Sequence, residues 1–182
     1  IELKFDYDYN FLTIAQFGPR KNLPNTIRWF VEEFHDEEVG LVVKSNLAKN
    51  CLMDREHLMG ELHGFLKNYP DRELMFGYFK KALDANAPDR KCKVYLLHGD
   101  MSDEEIHSLY VHPQIKALLA LPHGEGFGLP IFEAAYSGLP VIATGWSGQL
   151  DFLCDEEGKE HFEEILANLT NSTNFNGKRE IS

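Results

Sequence analysis

Two kinds of apolar pattern alternate along the chain. Short, near-continuous apolar runs recur at residues 11–17, 39–43, 93–97, 115–120 and 139–143. Runs of that length without strict polar alternation are expected of parallel strands covered on both faces. Leu23, Ile27, Phe30, Val31 and Phe34 instead recur every three or four positions, as do Leu58, Leu62, Phe65, Leu66 and Tyr69. That spacing predicts helices with one buried face. Leu74, Tyr78 and Leu83 keep a helical spacing beyond the break at Pro70-Asp71, which predicts a further helix there. Ser102-Asp103-Glu104-Glu105 reads as a capping box opening a helix with Ile106, Leu109 and Tyr110 inward. The alternation predicts an α/β fold, a doubly wound Rossmann-like parallel sheet whose ligands bind beyond the carboxyl ends of its strands.

The chemistry concentrates in residues 123–148. Glu125 stands eight positions before Glu133, with Gly126-Phe127-Gly128 between them and a helix start at Leu129-Pro130. Proline suits the beginning of a helix because its missing N–H would be unpaired there anyway. Gly138 is a natural stop, and Pro140 prevents the helix from resuming. The bare backbone at Gly126 and Gly128 lets a helix tip approach phosphate oxygens or sugar hydroxyls. Glu133, about one turn inside, can accept hydrogen bonds from vicinal ribose hydroxyls, and Glu125 can do the same for a hexose. A ligand anionic at one end and rich in hydroxyls at the other, such as a nucleotide sugar, fits this arrangement. Taken alone, Gly-x-Gly before a helix favours an ordinary βα turn with a solvated Glu133.

The longer string decides between them. Glu125, Gly126, Phe127, Gly128, Leu129, Pro130, Glu133 and Ala134, then Gly138, Pro140, Val141, Ile142, Ala143 and Ser147-Gly148, resemble the donor-binding signature of the retaining glycosyltransferases of family 4, the group 1 glycosyltransferases. The resemblance spans residues 11–152. It implies one half of a GT-B architecture, the C-terminal donor-binding domain of a longer enzyme whose N-terminal acceptor-binding domain is missing from this chain. It also implies a nucleoside-diphosphate sugar donor, a sugar or other hydroxyl acceptor, retention of configuration, and neither cofactor nor metal. Lys21, in the turn after the first strand, matches the lysine that similar proteins present to the diphosphate. Where relatives carry a Gly-Arg pair this chain has Ala15-Gln16, so Arg20 is the candidate for the second phosphate cation. Lys44 stands after the second strand in place of a Gly-rich loop, either at the pocket edge or as a surface lysine. Met101, after His98-Gly99-Asp100, stands where the base passes, or is a core methionine.

Composition narrows the setting. The chain has 182 residues and a formal net charge of −11, which argues against nucleic acid or an anionic membrane as a partner. A diphosphate site in so acidic a chain needs local positive charge, which Arg20-Lys21 and a helix tip supply. This length fits one domain, with residues 1–10 a linker-like start and residues 170–182 a loosely held tail. The first residue is Ile1 rather than Met, as expected of an excised half. Cys51, Cys92 and Cys154 lack metal-ligand spacing, and no run reaches the length of a membrane span. A cytoplasmic enzyme is the expectation.

Other features carry less. Asp6-Tyr7-Asp8 spells a metal-binding tripeptide, but it precedes the first strand instead of ending an internal one. Trp146 is placed to cover the pocket, and His123 to touch a sugar hydroxyl or merely to pack. Asn168-Leu169-Thr170 and Asn171-Ser172-Thr173 spell glycosylation acceptors, incidental without a secretory signal. Two alternatives to sugar transfer are a nucleotide-sugar epimerase of similar fold and a nucleotide-sugar-binding module that has lost its chemistry.

Overall fold

A computed structural model describes residues 3–48, 51–66, 73–76, 79–82 and 90–154, with the backbone alone for 63–66, 73–76 and 79–82. The elements run β1 (Asn10–Ile14), a 3-10 turn (Pro19–Lys21), α1 (Leu23–Glu33), β2 (Gly40–Ser45), α2 (Leu52–Leu66), β3 (Glu73–Phe76) and β4 (Phe79–Ala82). Then follow β5 (Lys93–His98), α3 (Asp103–Tyr110), β6 (Ile115–Ala120), α4 (Leu129–Tyr136), β7 (Val141–Ala143) and α5 (Leu150–Leu153).

Among the described residues one sheet holds the seven strands, in the order β4-β3-β5-β2-β1-β6-β7. The five strands from β5 to β7 are all parallel; β3 adds to β5 in parallel and β4 closes that edge antiparallel. The near-continuous apolar character of the strands has a direct cause. Phe11, Leu41, Val43, Val94, Leu96, Ala117 and Leu119 face α1 and α2 in one buried cluster. Their sequence neighbours Leu12, Val42, Tyr95, Leu97 and Leu118 face the other way, into a second cluster with α3, α4 and α5. Adjacent strand residues point to opposite faces, and here both faces are covered. The fold is therefore doubly wound, as the alternation predicts.

Three expectations shift at the edges. Strand β1 ends at Ile14 rather than Phe17, although Ala15 N–H still donates to Lys44 of β2 and Phe17 N–H to Asn46 just beyond it. Strand β7 starts at Val141, one residue after Pro140, which has no N–H for the ladder. The larger correction concerns the segment around Leu74, where helical spacing predicts a helix; Tyr78, counted in that spacing, lies outside the described residues. The backbone forms β3 and β4 instead, with Leu74, Met75 and Phe76 in register with Val94, Tyr95 and Leu96 of β5. The segment is rich in aromatic residues that favour strands, and pairing with β5 overrides a spacing shared by only a few positions. Leu83, Tyr69 and the Pro70-Asp71 break lie outside the described residues, as does everything after Cys154, including the expected tail and both glycosylation triplets.

Candidate functional site

Strand β1 pairs with β2 on one side and β6 on the other, so the chain reverses its direction of travel across the sheet between β1 and β6. The loops leaving two such strands separate in opposite directions and open a crevice at the carboxyl edge, where α/β sheets bind ligands. Residues 15–22 leave β1 there, and residues 121–128 leave β6.

Local sequence builds each wall. After β1, Gly18 precedes a single 3-10 turn with Pro19 in its first position, and Asn22 adopts a left-handed conformation at φ 56° before α1 begins. Asn22 is buried, and its side-chain amide donates to Leu121 O at 2.9 Å, tying one wall to the other. The main chain adds a second tie, from His123 N–H to Arg20 O at 3.0 Å. On the second wall Gly128 caps α4 with φ 87°, a conformation that favours glycine. Pro130 has no N–H, and Ile131 N–H bonds Gly128 O. The N-terminal end of α4, the positive end of its dipole, borders the crevice through Gly128, Pro130 and Ile131. At its far end α4 closes as expected: Leu139 N–H bonds Ala134 O and Gly138 N–H bonds Ala135 O, a paired C-terminal closure with Gly138 left-handed at φ 79°.

A third loop, after β7, braces the second wall. Ser147 Oγ accepts from Glu125 N–H at 3.0 Å and donates to Glu125 O at 2.6 Å, while Gly148 N–H reaches the same oxygen at 3.2 Å. Ser147 adopts φ 81° to do so. Gly148 lies so close to Gly126 that a Cβ on it would fall 1.8 Å from Gly126 O. Trp146 donates from Nε1 to His123 O at 3.3 Å and keeps half of its surface in solvent.

Into this crevice point the opposed charges. Lys21 Nζ donates to Glu125 Oε1, and Arg20 Nη1 lies 3.5 Å from Glu125 Oε2 while donating to Gly124 O at 2.9 Å. The Lys21 and Glu125 side chains are 19% and 11% exposed, whereas Arg20 is 62% exposed. Lys21 is therefore the cation held in the crevice and Arg20 the one at its mouth. The hollow they face is lined by Thr13, Ile14, Ala15, Ala120, Leu121, Pro122, Gly128, Pro130 and Ile131 together with Lys21 and Glu125.

The other site residues read from the sequence lie around this centre. Glu133, on α4, accepts from the Tyr110 hydroxyl of α3 at 3.0 Å and is not among the residues lining the hollow. Phe127 is half-exposed and meets Phe132 and Phe152 in tilted ring contacts, at centroid distances of 5.5 and 5.0 Å. Leu129 is exposed at the helix tip. Lys44, on β2, donates to Gly99 O at 2.5 Å, and burial holds its amine below the usual lysine range, partly offset by Asp100. Met101 packs on the second core cluster. Gln16, at the place of the family arginine, turns its amide to Leu47 O at 2.5 Å. Asp6 of the Asp-Tyr-Asp tripeptide is engaged by Lys93 Nζ at 3.0 Å and by Tyr95. Sequence reasoning missed Asn22 and the buried Asp54. Asp54 accepts from Leu47 N–H at 2.9 Å and Ala48 N–H at 2.7 Å and lies 2.9 Å from His98 Nε2, fixing the loop after β2 to the end of β5. The signal for Asn22 was present, since Asn after a turn is the residue that best tolerates a left-handed backbone.

Residues 79–168 match the family described as glycosyl transferases group 1. The matched stretch contains Glu125, the helix-tip glycines, Glu133 and the Ser147-Gly148 brace, while Arg20 and Lys21 lie upstream of it. An α/β fold with its crevice at the reversal point, together with this match, supports a place among the group 1 glycosyltransferases and glycosyl transfer as the class of chemistry. No curated protein matches the chain. Among the described residues no helix is long and apolar enough to cross a membrane.

Proposed function

We propose that this chain is the donor-binding unit of a retaining glycosyltransferase of family 4, the C-terminal half of a GT-B enzyme that transfers a sugar from a nucleoside diphosphate. The observation that carries this reading is the meeting of Lys21 and Glu125 across the β1–β6 crevice, beside the tip of α4. A nucleotide sugar carries phosphates for a cation and a helix tip, and hydroxyls for a carboxylate, within a few ångströms of each other. Lys21, with Arg20 at the mouth and the Gly128 and Leu129 N–H groups, stabilises the charge that grows on the departing diphosphate. Glu125 holds the sugar, Glu133 the ribose, and Met101 packs toward the base. An N-terminal domain of the GT-B enzyme presents the acceptor hydroxyl, and the departing phosphate assists its deprotonation on the same face of the sugar.

Lys21→Ala in the full-length enzyme tests the reading. Turnover at saturating donor should fall by about 10²-fold or more, as when an electrostatic donor is removed from an active site. The unfolding free energy should change by no more than about 1 kcal/mol. Unchanged turnover would remove Lys21 from the chemistry and with it the reading.

A further inference from the structure

The reading above assigns Lys21 to the donor phosphates and Glu125 to the donor sugar. In the structure each of these groups satisfies the other. One carboxylate oxygen of Glu125 takes the Lys21 ammonium and the second faces the Arg20 guanidinium at 3.5 Å. Two oxygens on one small anion, facing two cations beside a helix tip, reproduce the charge pattern of a phosphate group in that place. The mount of this anion is rigid. Ser147 and Gly148 bond the backbone of Glu125, and His123 N–H bonds Arg20 O. Exchange of partners therefore requires side-chain rotation only.

We propose that Glu125 is an internal counter-ion that competes with the donor phosphates for Lys21, and so makes the site select an intact nucleotide sugar over the spent nucleoside diphosphate. This rests on the functional reading above and adds a selectivity to it. An intact donor breaks the Lys21–Glu125 pair but re-satisfies both members, giving phosphate to the lysine and hydroxyls to the carboxylate. The spent diphosphate re-satisfies Lys21 alone. It leaves Glu125 as a mostly buried anion with only the 3.5 Å contact to the exposed Arg20, next to a second anion, and both effects oppose binding. Once the sugar has left, the pair re-forms and displaces the product.

The test is calorimetric titration of the wild type, Glu125→Gln and Lys21→Ala with UDP, GDP and ADP, and with UDP-glucose, GDP-mannose and ADP-glucose. Thermal unfolding of each variant verifies that it is folded, and Glu125→Ala serves as a second charge-removing variant. For the nucleotide that the wild type binds, Glu125→Gln should tighten the free diphosphate about fivefold, the worth of one partly exposed ion pair. The matching nucleotide sugar should bind no tighter than to the wild type, so the preference for intact donor shrinks. Weaker or unchanged diphosphate binding in folded Glu125→Gln and Glu125→Ala overturns the proposal. If Lys21→Ala meanwhile abolishes diphosphate binding, the functional reading survives that failure. If the folded wild type binds none of the six compounds, both fall.

Discussion

The Tyr110 hydroxyl donates to Glu133 Oε2 at 3.0 Å and joins the end of α3 to α4. Burial of the ring, the hydrogen bond and the neighbouring carboxylate charge together push the phenol well above its ordinary range. Tyr110 therefore remains a donor under all physiological conditions, and it orients the acid assigned to the ribose. Tyr110→Phe should cost about 1 kcal/mol of folding stability, the worth of one hydrogen bond. It should also weaken nucleoside diphosphate binding several-fold, because Glu133 then loses its fixed orientation. Glu133→Gln should weaken free nucleotide and nucleotide sugar in parallel. Titration calorimetry checks both, and unchanged affinities would detach Glu133 from the ribose.

Alkaline pH should unfold this protein through its buried phenols. Tyr95 is raised chiefly by burial, and Tyr110 likewise, each from an ordinary value of 10.0. A group raised in the folded state contributes stability that is complete below its unfolded pKa and declines as pH climbs toward the folded value. The contribution of these two residues should therefore be constant up to about pH 9 and fall steadily above pH 10. Denaturation midpoints measured from pH 8 to 11 should show that decline, and Tyr110→Phe should make it shallower. An identical slope in wild type and variant would contradict the assignment.

Gly148 is the point where the loop after β7 presses on the loop after β6. A methyl group there would meet Gly126 O at 1.8 Å, and a backbone oxygen cannot yield as a side-chain end can. Gly148→Ala should separate the two loops, break the Ser147 brace and displace Glu125. The expected outcome is a folded protein destabilised by about 1–3 kcal/mol, whose donor affinity falls more than tenfold. Circular dichroism melts and donor titration report the two effects separately.

Asp54 should be the most sensitive polar position away from the crevice. It is buried, accepts two backbone N–H groups and contacts His98. Asp54→Ala removes the acceptor of both N–H groups, at a cost of about 1–2 kcal/mol. Asp54→Asn keeps an acceptor oxygen and should lose less. Denaturant midpoints at constant slope would show it; equal losses for the two variants would mean that hydrogen bonding is not what the carboxylate contributes.

Much of this was legible in the chain. Strand β6 and the capping box at Ser102 are local matters, set by hydrophobic run and capping chemistry, and both stand where the pattern puts them. Helix α4 likewise starts beside Pro130 and closes at Gly138, because those residues act on their own backbone. The segment at Leu74 was misread for the opposite reason: a few helix-spaced residues say nothing of whether a neighbouring strand stands ready to pair.

Motif spacing named Lys21, Arg20 and Glu125 as candidates, but their partners are another matter. Residues roughly a hundred positions apart become neighbours only when β1 and β6 lie side by side in the sheet. No local rule announces that Glu125 neutralises Lys21, that Gln16 turns to Leu47, or that Glu133 answers to Tyr110. The sequence by itself determined the elements, the reversal glycines and the chemical types available at the rim, since these depend on short-range sterics and hydrophobic period. Only the tertiary structure decided which charges oppose one another across the crevice, because strand order is set by burial of both sheet faces at once.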